Sequence, residues 1–105
     1  SMAQSNTIKN SWSLISFARK FGPKMQVGDF VNSETGDKFK SCIFLNGDTR
    51  TYVAFSSKLG VLSPKQIAAQ KDDLQVVLCE TKNGDDMYSL CHRGQNSWED
   101  VDLGL

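Results

Sequence analysis

The stretch from Lys38 to Phe55, KFKSCIFLNGDTRTYVAF, constrains the fold more than any other part of the chain. Two runs with strand-like alternation flank Asn46-Gly47-Asp48, a turn signal, so the segment predicts a β-hairpin. A three-residue loop at 46–48 sets Leu45 opposite Thr49, Ile43 opposite Thr51, Ser41 opposite Val53 and Phe39 opposite Phe55. That register gathers the aliphatic residues with Phe39 and Phe55 on one face, and a slip of one residue would reverse every side chain of one strand. The other face then carries Lys40, Cys42, Phe44, Arg50, Tyr52 and Ala54. Flat rings among cations suit a single nucleic-acid strand, because rings stack on bases and cations meet phosphates. The alternative is a second layer over this face, with the rings as ordinary core.

Met25 to Asn32 predicts the preceding strand, and Ser33 to Asp37 a loop. Setting Val31 opposite Phe39 extends the apolar face across three strands and adds Phe30 to the aromatic and basic one. The expected site is therefore Phe30, Phe44 and Tyr52 for stacking, with Lys40 and Arg50, helped by Lys38 and Lys58, for phosphates.

Further signals complete the layout. Leu14, Ile15, Ala18 and Phe21 share one helical stripe. Arg19 and Lys20 fall in its last turn and Gly22-Pro23 stops it, predicting a helix from about Trp12 to Phe21 capped by Asn10 or Ser11. A strand through Trp12, Leu14 and Ser16 is the competing reading. Ser63-Pro64-Lys65-Gln66 is a helix start with a serine cap, proline at the first position and glutamine to complete a capping box. That helix is expected to reach about Asp73, with Ile67, Ala68 and Leu74 inward. Gln75 to Thr81 and Met87 to Arg93 predict a final hairpin.

At 105 residues this is one domain, residues 1–96, followed by an acidic tail, residues 97–105. Formal charge is zero, but residues 1–65 hold nine cations against four acids and residues 66–105 three against eight, an asymmetry often tied to nucleic acid. No apolar run approaches the ~20 residues a bilayer-crossing helix needs, and no signal segment is evident, so the expected compartment is the cytoplasm. Cys42, Cys79 and Cys91 form an odd set without Cys-x-x-Cys, which suits reduced thiols. Cys91-His92 is the one close pair of metal-ligand type, too few for a zinc site, and no metal or other cofactor is expected. Neighbours in a strand point to opposite faces, so Cys91 and His92 do not make a catalytic dyad. Asp72-Asp73 and Asp85-Asp86 read as a helix end and a turn. No catalytic motif emerges, and the chain is expected not to be an enzyme.

Three antiparallel strands, a helix and two more strands is an order that resembles the OB-fold, whose second and third strands carry much of the ligand face. The resemblance implies a mainly β chain with two short helices: a small five-stranded antiparallel barrel, one helix between strands 3 and 4 and one N-terminal. The tail Trp98-Glu99-Asp100-Val101-Asp102-Leu103-Gly104-Leu105 is similar to the acidic segments, closed by hydrophobic residues, that end bacterial and phage single-stranded-DNA-binding proteins. It implies a phage or mobile-element protein that binds single-stranded DNA (or RNA), with Trp98, Asp100, Asp102 and Leu105 recruiting a protein partner; the alternative role for the acidic tail is to shield the chain's own basic face. The rival expectation is a protein-interaction module, either a small inhibitor or a homo-oligomer subunit such as a homodimer, in which the same rings bury against a partner.

Overall fold

In the computed structural model, residues 7–80 and 84–94 are described. The predicted tail, with Trp98, Asp100, Asp102 and Leu105, lies outside them. The described residues are mainly β with two helices, in the order β1 (Thr7–Ser13), α1 (Leu14–Phe21), β2 (Lys24–Val31), β3 (Lys38–Asn46), β4 (Thr49–Phe55), α2 (Pro64–Ala69), a 3-10 turn (Lys71–Asp73), β5 (Leu74–Glu80) and β6 (Asp86–His92).

The six strands form one open sheet in the order β1-β5-β6-β4-β3-β2. All neighbours are antiparallel except β4 and β6, which run parallel. This corrects the expected five-stranded barrel. The strand that sequence reading did not find is β1, where TIKNSWS offers a weak apolar pattern. As an edge strand it takes its place from backbone pairing with β5, Trp12 opposite Val76, rather than from alternation. With β1 and β2 at opposite ends of the order, the sheet has two edges and does not close.

The helix ends follow the local signals, with one shift. Ser13, not Asn10 or Ser11, caps α1, its hydroxyl accepting from the Ser16 N–H at 3.2 Å. The helix reading holds from Leu14 to Phe21, whereas the competing strand through Leu14 and Ser16 does not form and only Trp12 and Ser13 of residues 12–21 are strand. At the other end the Gly22 N–H donates to the Ala18 carbonyl at 2.9 Å. The capping box of α2 forms as expected, with Ser63 Oγ accepting from the Gln66 N–H and the Gln66 side chain accepting from the Ser63 N–H. Ile67 and Leu74 are buried, whereas Ala68 is exposed.

Both helices lie on the same side of the sheet. Leu14 and Phe17 of α1 and Ile67 of α2 pack with Cys42, Phe44, Val53, Leu74, Val76 and Leu90. Phe17 is the hub: its ring stacks on Phe21 at 4.3 Å and meets the edges or faces of Trp12, Phe44 and Tyr88 between 5.0 and 5.7 Å. The opposite, helix-free side carries a smaller cluster of Val77, Cys79 and Cys91 with Ile8 and Met87.

All three cysteines are free and buried. Burial pushes the Cys42 thiol up to about 12 and, with Cys91 nearby, that of Cys79 to about 11; Cys91 is also raised by burial. Because the thiolate is the reactive form, a disulfide reagent at pH 8 is expected to modify all three only after unfolding by guanidinium. Rapid stoichiometric labelling of any one in the native protein would contradict this packing. No described helix is long and apolar enough to cross a membrane.

Candidate ligand-binding face

The β3–β4 connection decides what the helix-free face displays. Asn46 pairs with Thr49, so the turn is the two-residue Gly47-Asp48 and not a three-residue loop. Gly47 takes φ +60° while Asp48 stays at negative φ, the type II′ pattern whose twist matches flanking strands. Removing one loop residue slips the predicted register by one: Leu45 faces Arg50, Ile43 faces Tyr52, and Cys42 faces Val53.

A second one-residue slip occurs between β2 and β3, where Phe30, not Val31, faces Phe39. Asn32 explains it. Its side chain accepts from the Glu34 and Thr35 N–H groups and its backbone N–H donates to the Asp37 carbonyl, so the loop closes on Asn32 and Asp37 and the ladder begins at Val31–Lys38.

The expected mixed face is therefore divided. Phe30, Arg50 and Tyr52 stay together on the helix-free side. Phe44 belongs to the helix side, 1% exposed, with its ring edge-on to Phe17 at 5.0 Å. Lys38 and Lys40 share the parity of Phe44 and leave the aromatic face. Lys40 Nζ lies 2.6 Å from Asp29 Oδ1 and holds that carboxyl below its ordinary range, through the hydrogen bond first and the charge second. Lys58 sits in the turn after β4.

The observed register assembles a related face with different members. Reading across β2, β3 and β4, its rows are Lys24–Leu45–Arg50, Gln26–Ile43–Tyr52, Gly28–Ser41–Ala54 and Phe30–Phe39. Phe30 is the centre of the ring group, 4.9 Å from Phe39 and 5.1 Å, edge-on, from Tyr52. Tyr52 is 43% exposed, and Lys24 and Arg50 are exposed at the end of the face nearest it. Phe39 and Lys24 were missed by sequence reading; the Gly-Asp turn taken as a II′ pair would have moved Phe39 to the side of Tyr52, and Lys24 shares the parity of Phe30 on β2.

A cavity of about 180 Å³ opens among these rings, lined by Phe30, Phe39, Ser41, Tyr52, Ala54 and Met87 with Asp86 and Tyr88. Two features create it. Its floor is the pair of small residues Ser41 and Ala54. Beside that floor, β4 and β6 pair only over Val53–Phe55 and Tyr88–Leu90, so the sheet parts between Tyr52 and Met87. The Ser41 hydroxyl donates to the Val53 carbonyl at 3.2 Å. Next to Ala54 in register, the fully buried Ser89 hydroxyl has no hydrogen-bond partner.

Among the described residues, no three or more of His, Cys, Asp and Glu gather to hold a metal ion. Cys91 is buried and His92 exposed, on opposite sides of β6. The chain matches no protein-family model, no curated protein and no solved structure.

Proposed function

We propose that the helix-free face of β2, β3 and β4 binds single-stranded nucleic acid, DNA foremost. The observation behind this reading is the placing of three rings around a small-residue hollow, with two exposed cations in one row at the Tyr52 end of the same face. Tyr52, Phe30 and Phe39 offer π-faces and edges to a base, and Lys24 and Arg50 sit where the adjoining phosphates would run. Phe44, Lys38 and Lys40 have no part in it. The acidic tail keeps its proposed role in recruiting a partner protein.

Fluorescence anisotropy of labelled oligo-dT at low salt tests the reading. Stacking contributes roughly 1–3 kcal/mol per base, so Tyr52→Ala is expected to weaken binding by about 5- to 150-fold while the fold persists. Arg50→Ala is expected to weaken it less and to flatten the salt dependence by about 0.7 in the log–log slope, the counterion share of one phosphate on a single strand. No binding at tens of micromolar protein would end the proposal.

The second reading is a protein-interaction module using the same face. Zero net charge favours it, because sequence-independent strand binding draws mainly on cations. Light scattering with and without oligonucleotide separates the two: a mass increase that equals bound oligonucleotide and is lost in Tyr52→Ala supports the first.

A further inference from the structure

We infer that the free edge of β2 joins two copies of this chain into one continuous sheet. The two edges of the sheet differ. The β1 ladder shifts register between Ile8 and Asn10, and Lys9, at that irregularity, pairs with Asp86 at 2.9 Å. A register shift of this kind blunts an edge, and it is the shift that distinguishes the two edges, since β2 also carries an ion-paired charge, Asp29 with Lys40. In contrast β2 pairs with β3 over all eight of its residues with no shift and contains no proline. None of its residues is fully buried, and among the described residues no strand lies on its outer side. Such an edge is a straight row of N–H and C=O groups able to accept another strand.

The sequence of β2 fits a second copy of itself. Two antiparallel β2 strands related by a two-fold axis through Gly28 keep the faces of both sheets aligned. On the helix side Met25 then lies opposite Val31 of the second copy, giving the 52%-exposed Val31 an apolar neighbour. Val27 lies opposite Asp29 of the second copy, and on the helix-free side Gln26 lies opposite its Phe30. Lys24 lies opposite the second copy's Asn32, so no like charges lie directly opposite, and the two Asp29, diagonal neighbours across the axis, are each paired with Lys40 of their own copy. The axis brings the two Phe30 side chains and their ring groups onto one side of one sheet. This inference does not depend on what that face binds.

Analytical ultracentrifugation of the chain alone, from micromolar to millimolar, is expected to show the average mass rising from 11.7 kDa toward twice that value. Hydrogen exchange at the two ends of that range is expected to show slowing of amides within residues 24–31 and none in β1. Gln26→Lys combined with Val31→Lys, both at exposed positions, puts a lysine opposite Phe30 and another opposite Met25 of the second copy, removes the apolar Val31–Met25 pair and adds two like charges to each strand. It is expected to weaken association by more than about tenfold. Asn10→Lys, on the other edge, is expected to leave association unchanged. A wild-type chain monomeric throughout, association that survives the double substitution, or protection that falls on β1 would each overturn the inference. So would protection of residues 24–31 that arises in a monomer only when oligo-dT is added. Exchange reads the edge in the unaltered chain, so the test holds even if the double variant fails to fold.

Discussion

Replacing Gly22 by alanine is expected to destabilise the protein by about 3 kcal/mol or more, lowering the melting temperature by roughly 10–25 °C. Gly22 takes φ +146°, a conformation that side chains rarely adopt. A Cβ at this position would lie 2.3 Å from the Leu45 carbonyl oxygen and 2.5 Å from its carbon. Those are backbone atoms of β3 and have no rotamer by which to retreat. The chain leaving α1 must therefore separate from the end of β3, loosening the helix that carries Phe17 into the core. Gly47→Ala is the control, since Gly47 also has positive φ but an added Cβ there meets nothing within 4 Å. It is expected to cost about 1 kcal/mol, from backbone conformation alone. Equal melting temperatures for the two variants would show that the close approach of Gly22 to Leu45 is absent in solution.

The second large effect separates the two aromatic residues that alternation alone assigns to one face. Phe44→Ala is expected to cost about 3–5 kcal/mol in chemical denaturation, the range for removing a fully buried phenylalanine. The ring fills the space between Phe17 and the sheet, and the surrounding side chains are fixed by packing too close to collapse into the gap. Tyr52→Ala is expected to cost only about 1 kcal/mol, because much of that ring already faces solvent and its loss deprives Phe30 of one edge contact. The expected effects on ligand are reversed. Tyr52→Ala loses affinity at full folding, whereas folded Phe44→Ala, held at low temperature, retains it. A Phe44→Ala protein of wild-type stability would return that ring to the surface and restore the predicted three-residue loop.

These two pairs of substitutions also divide what was legible in the chain from what was not. Local signals in the chain mark where most elements lie. Gly22-Pro23 ends α1, Ser63-Pro64 with Gln66 starts α2, and the runs around Ile43, Val53, Val77 and Leu90 are strands, because caps, turns and β-branched or aromatic runs act over a few residues. The sequence did not reveal β1, a polar segment that is a strand only because β5 offers it a ladder. Nor did it settle which side of β3 meets the helices. Residues Ser41 to Phe44 are all buried, so both parities of this strand carry core-like side chains and period-two alternation loses its power to choose between them. The choice then falls to one residue in each flanking turn, Asn32 before β3 and the Gly47-Asp48 pair after it. Only the packing of α1 and α2 onto the Cys42–Phe44 side makes that choice visible, leaving Phe30, Phe39 and Tyr52 together on the other.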